Sequence, residues 1–254
     1  MLPSGLSSLK VAAPIGAVTG LSHLHALSLS CPESSLELLQ QLHRLNELRA
    51  LIVKLCGCTD RRMHDVLASI GAATKLTELI LYAYSIEGPL PVEYALPMQG
   101  ALVSEHLSKL QSLQTLWLLE LEMQPGDALG LRALTGLTTL NVRRVPHFGS
   151  LAVAALACAA KHLQELALVE CGADDIVFLP VVATLTELRS LEFSRGPVMS
   201  DATLQLLVPL TNLTYLAFLP GHLPGPMQRH DLSLEAQQRF LAAMPQLSTI
   251  RFDQ

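Results

Sequence analysis

Apolar and polar positions along the chain obey one short rule that keeps returning. In "LQSLQTLWLLEL", the leucines at 110, 113, 116, 118 and 121 mark the rule, with Leu119 in addition. The same L-x-x-L-x-L spacing reappears in "LSHLHALSL" at 21, "LNELRALIV" at 45, "LTELIL" at 76, "LTGLTTLNV" at 134, "LQELAL" at 163, "LTELRSLEF" at 185, "LTNLTYLAF" at 210 and "LSTIRF" at 247. The anchor positions are Leu27, Leu51, Leu79, Leu116, Leu140, Leu166, Leu191, Leu216 and Ile250, separated by 24, 28, 37, 24, 26, 25, 25 and 34 residues. Each L-x-L pair predicts a short strand whose leucines share one face while the residue between them points the other way. Between strands, "SDATLQLLVPL" from Ser200 and "SLAVAALACAAKHL" from Ser150 carry helical periodicity behind a capping residue. Strands alternating with helices imply parallel pairing, and each unit can bury its apolar face only against its neighbours.

These copies resemble the leucine-rich repeat family over essentially the whole chain. The resemblance implies one α/β domain spanning 1–254, a horseshoe solenoid of about nine repeats with a parallel sheet on the concave face and helices on the convex face. "LSSLKV" at Leu6 reads as a truncated tenth copy. One departure stands out. The family motif continues to an Asn or Cys that turns the chain inward after the strand, and here that slot holds Pro32, Cys56, Tyr84, Leu121, Val145, Cys171, Gly196 and Gly221. Two cysteines fit, and "MSDATLQLLVPLTNLTYLAF" from Met199 is similar to the cysteine-containing repeats of F-box substrate receptors. No F-box-like helical segment stands before the repeats. A substrate-receptor subunit of a ubiquitin ligase and an axonemal or cytoskeletal scaffold are therefore alternatives within the same family reading.

Composition narrows the partners. Of 254 residues, 50% are hydrophobic but only 4% aromatic, so the core is aliphatic, and the net charge of −5 argues against nucleic acid as partner. Five scattered cysteines in a chain of this size suit a reducing compartment, and a cytoplasmic location is expected, with cytoskeleton or axoneme as variants. The opening lacks an early positive cluster and its apolar stretch is broken by Pro14 and Gly16, which predicts no signal peptide. No apolar run approaches bilayer length, so no membrane association is expected.

Chemistry is sparse. Cys56 and Cys58 with His64 nearby have the residue types of a zinc site, but Cys56 fills the turn slot and Cys58 the next leucine slot, and a structural zinc needs about four ligands. Cys171 reads as buried turn core. Asp174 and Asp175 are expected to begin a helix, where negative charge favours the dipole. The chain has no phosphate-binding glycine loop and no nucleophile elbow. The reading is therefore a non-enzymatic protein, with no catalytic residues, metal or cofactor, that binds another protein.

The candidate surface follows from strand parity. Ile52, Ile80 and Trp117 occupy the position between the two leucines of consecutive repeats, while Tyr82 and Leu119 occupy the position after them. That places an apolar and aromatic patch on a face expected to be wet, with Arg143 and Glu192 as flanking polar contacts. Such patches mark interaction sites, and aromatics dominate binding hot spots. The long insert after Leu81, containing "EGPLPVEYALPMQG", is the competing cover for this patch. The surplus residues after Leu79 and after Leu216 are expected on one rim, framing the concave floor. Exposed apolar surface around Ile250 and Phe252 is expected to support association.

Overall fold

The computed structural model describes residues 7–11, 21, 23–30, 39–55, 60–83, 103–121, 123–124, 126–173, 175–194, 199–219 and 232–252. Cys56, Cys58, Asp174 and the two long inserts at 84–102 and 220–231 lie outside the described residues. The strands are β1 Ser8–Val11, β2 Ala26–Ser30, β3 Ala50–Lys54, β4 Glu78–Tyr82, β5 Thr115–Leu119, β6 Thr139–Arg143, β7 Glu165–Val169, β8 Ser190–Ser194, β9 Tyr215–Leu219 and β10 Thr249–Phe252. They form one ten-stranded sheet in chain order, every neighbouring pair parallel. The truncated copy at Leu6 supplies β1.

Hydrogen bonds explain why L-x-x-L-x-L makes this sheet. The L-x-x-L segment closes a turn in which the later N–H donates to the carbonyl three residues earlier, as in Leu113 to Leu110 at 3.0 Å and Leu213 to Leu210 at 2.9 Å. The residue just ahead of each strand then offers its carbonyl to two successive N–H groups of the next repeat. Thr77 accepts from Gln114 and Thr115 at 2.8 and 2.9 Å, and Thr138 from Gln164 and Glu165 at 2.7 and 3.0 Å. Anchor leucines consequently stack in register, Leu51 on Leu79 on Leu116 on Leu140. A slip of one residue would turn every leucine to the opposite face. Leu116 and Leu118 are fully buried in the continuous core, which includes a stack of Phe178, Phe193 and Phe218 with ring centres 5.5 and 5.4 Å apart and continues to Phe240 and Met244.

The missing asparagine is replaced by backbone geometry. Glu120, Arg144 and Glu170, immediately after β5, β6 and β7, adopt positive φ of 58°, 52° and 51°. Their N–H groups donate to Arg143, Val169 and Ser194 at the ends of the following strands, at 2.8, 2.8 and 3.0 Å. The left-handed step, which costs on the order of 1 kcal/mol for a non-glycine residue, turns the next side chain inward. Leu121, Val145 and Cys171 are accordingly buried, Cys171 as expected.

The convex side carries helices α1 Asp60–Gly71, α2 Val103–Leu107, α3 Gly149–Ala159, α4 Leu179–Val182, α5 Asp201–Gln205 and α6 Leu234–Ala243, with 3-10 segments at Leu42–Arg44 and Asp127–Ala133. Ser200 caps α5 in a capping box with Thr203, as its sequence predicts. Two other helix starts differ from expectation. Gly149, at φ 73°, makes the entry turn of α3 and leaves Ser150 inside the first turn instead of ahead of it. Asp175 begins no helix: its Oδ1 accepts the Val177 N–H at 3.1 Å, a local turn that competes with helix, and α4 starts only at Leu179 with Pro180 in its first turn.

Candidate functional site

The sheet register converts the strand alternation into rows of side chains on the concave face. One row runs Ser28, Ile52, Ile80, Trp117, Asn141, Ala167, Glu192, Ala217 and Arg251. Lys54, Tyr82, Leu119, Arg143, Val169, Ser194 and Leu219 form a second. A third, from the first residue of each strand, runs Ala50, Glu78, Thr115, Thr139, Glu165, Ser190 and Tyr215. This third row shares the parity of the other two and is equally implied by the strand alternation.

Ile52, Tyr82, Trp117 and Leu119 are half-buried and adjacent on β3, β4 and β5. Ile80 departs from the expectation of a wet side chain, being only 8% exposed. It does not belong to the leucine core, and it sits in register between Ile52 and Trp117, two large neighbours that flank it on the concave side. Ile80 is thus the floor of the patch and its neighbours are the accessible surface. Trp117 lies partly in that floor as well: its indole N–H is buried and has no acceptor among the described residues.

The two flanking polar residues meet each other. Arg143 on β6 reaches Glu192 on β8, Nη2 to Oε1 at 3.2 Å, and its Nε donates to Asn141 Oδ1 at 2.9 Å. β7 lies between them, and the small Ala167 beside Glu192 leaves room for this crossing. Beyond it, Val169, Ser194 and Ala217 are buried, while Tyr215 and Leu219 are half-buried and Arg251 is exposed. At the other edge of the patch the Lys54 ammonium stands 5.8 Å from the centre of the Tyr82 ring. On the rim, Arg144 pairs with Glu120 at 2.9 Å and lies 3.7 Å from Glu170, extending an alternating charge row across three repeats.

On the convex side two of the described groups, His106 and Asp201, are displaced from ordinary titration. His106 on α2 is buried, with Nε2 3.3 Å from Nδ1 of His64 on α1. Burial lowers its pKa first, then the neighbouring His64 and Lys109, against the opposing pull of Glu105 and Asp127. The buried Asp127 carboxylate accepts the Val103 and Ser104 N–H groups at 2.9 and 3.1 Å and caps α2 from the next repeat. Farther along, Asp201 is held below the usual carboxylate range by the Ser233 hydroxyl and then the Ser233 N–H, at 2.7 and 2.8 Å. These contacts staple one convex segment to the next. Among the described residues no three or more His, Cys, Asp or Glu side chains converge in a metal-binding group. No helix among them is long and apolar enough to cross a membrane.

No protein-family model matches the chain, and a search of curated proteins finds no match either. Solved structures do match. An internalin from Listeria monocytogenes aligns over 95% of this chain and 71% of its own, with a TM-score of 0.55 and 16% identity. At that identity the likeness concerns architecture alone, and together with the ten-stranded parallel sheet it makes this chain an α/β leucine-rich repeat solenoid.

Proposed function

We propose that the protein is a non-enzymatic interaction scaffold that receives a protein partner on its concave face, centred on Trp117. One observation carries this reading: Ile52, Tyr82, Trp117 and Leu119 form a contiguous, half-exposed apolar patch on three adjacent strands, floored by Ile80. Contiguity is the point, since scattered apolar residues are ordinary on any surface. The closed Arg143–Glu192 pair borders the patch as a polar rim. Such a fold supplies surface, and function resides in what the surface presents. A substrate-receptor subunit of a ubiquitin ligase, which needs an F-box in addition to the repeats, and an axonemal or cytoskeletal scaffold are the alternative readings. The exposed free thiol of Cys158 suits a reducing cytoplasm. The β10 layer offers a second contact: Leu247 and Ile250 are half-buried, whereas Leu213 and Leu216 of the preceding repeat are fully buried.

Affinity capture from the native cell tests the reading, with wild-type bait beside Trp117→Ala bait. A partner retained by the first and lost by the second supports it. Equal recovery of every captured protein would remove the concave patch as the site. In parallel, acrylamide quenching of the single tryptophan reports its accessibility in the free protein, and full shielding would reassign the patch to internal packing.

A further inference from the structure

The charges around the patch point to the chemistry of the segment it receives, an inference that rests on the concave-face reading above. Among the described residues two cations border the apolar surface, and they are in different states. Arg143 is already neutralised, with Nη2 on Glu192 at 3.2 Å and Nε on Asn141 at 2.9 Å. Lys54 has its ammonium over the face of Tyr82 at 5.8 Å and no ion pair among the described residues. Glu78, on the neighbouring strand, stands at the opposite end of β4 from Tyr82, the residue in register with Lys54. Glu78 and Tyr82 are four steps of extended chain apart, roughly 13 Å. A lysine resting on an aromatic face beside an apolar patch presents a positive charge held at low entropic cost, since the ring fixes its direction.

We propose that the concave patch docks an extended acidic-apolar segment of a protein partner, its carboxylate on Lys54 and a large apolar side chain against Trp117 and Leu119. The spacing follows from the sheet. Lys54 on β3 and Leu119 on β5 lie two strands apart in one row, about 9.6 Å at the usual inter-strand distance. An extended segment crossing the strands advances about 3.3 Å per residue, so the acid and the apolar residue stand about two to four positions apart once lysine flexibility is included. Charge complementarity at the Lys54 edge and neutrality at the Arg143 edge also fix the direction of the segment. The acidic end lies over β3 and the apolar end over β5.

Panning a phage-displayed random peptide library on the full chain tests this, followed by titration of the selected synthetic peptides. Selected sequences are expected to carry Asp or Glu two to four positions from Leu, Ile, Met or an aromatic residue. Lys54→Glu should weaken those peptides at least about tenfold and, when panned itself, select Lys or Arg at the acidic position. Arg143→Ala should change affinity less than about threefold, because its charge is already engaged. Selection of apolar peptides without an acid, or affinities unchanged in Lys54→Glu while Trp117→Ala abolishes binding, overturns the acidic preference and leaves the concave site standing. Peptides that bind wild type and Trp117→Ala alike overturn both readings. A library that yields no binder also overturns the proposal, and is the result expected if the segment 84–102 occupies the patch.

Discussion

Adjacent residues of β5 make a sharp test of the architecture, because Trp117 and its neighbours Leu116 and Leu118 are placed on opposite faces. The informative change is Trp117→Phe. It deletes a buried indole N–H that has no acceptor among the described residues, and a buried donor left unsatisfied costs about 1 to 3 kcal/mol. Against this, the smaller ring gives up on the order of 30 Å² of buried apolar area in a half-buried side chain, roughly 0.8 kcal/mol at 25 cal/mol per Å². The two effects sum to a variant between about equal in stability and about 2 kcal/mol more stable than wild type. Leu116→Ala, one residue away and fully buried, should cost about 2 to 5 kcal/mol. Urea unfolding followed by far-UV circular dichroism measures both, since Trp117→Phe removes the fluorophore. The midpoint is the quantity to compare, with an unchanged slope confirming that the same surface unfolds. A loss of more than about 1.5 kcal/mol in Trp117→Phe would show that the indole is packed and satisfied, and the argument for it as a binding residue would fail with it.

Four further outcomes are expected. Asp127→Ala should lower stability by about 1.5 to 3 kcal/mol in thermal unfolding, because it uncaps α2 and leaves two N–H groups without their charged acceptor. His106 has its pKa lowered from the ordinary 6.5, so below that value the unfolded chain binds the proton more readily than the native one. Stability is therefore fully present above about pH 6.5 and declines as pH falls toward the native pKa; His106→Gln should flatten this part of the urea-midpoint profile, and an unchanged profile would count against it. Gly172→Ala should destabilise by more than about 2 kcal/mol, since its φ is 72° and a Cβ there meets the Pro146 carbonyl oxygen. Sedimentation should show association that Ile250→Asp weakens; a strict monomer at high concentration would dismiss the β10 contact.

The period of the leucines was sufficient to read the strands, their parallel order and the two rows containing Trp117 and Tyr82, because alternation in a strand is local and the register follows from stacking identical motifs. Even the truncated copy at Leu6 was legible on that basis, as was the Ser200 cap, whose hydrogen bonds lie within four residues. What the sequence could not decide were contacts between repeats. Ile80 fits the pattern of an exposed residue and is buried by its neighbours across the sheet. Arg143 and Glu192 stand 49 positions apart, and only the curved sheet with a small residue between brings their charges together. His64 and His106, separated by 42 positions, meet for the same reason, as successive convex segments pack side by side. The turn without asparagine was equally hidden. A positive φ at Glu120, Arg144 and Glu170 leaves no mark in composition, and it holds because each N–H finds a carbonyl at the end of the next strand. Local periodicity determined the repeat, whereas burial and charge pairing on the concave face depend on which repeat lies alongside, a property that exists only once the solenoid has closed its layers.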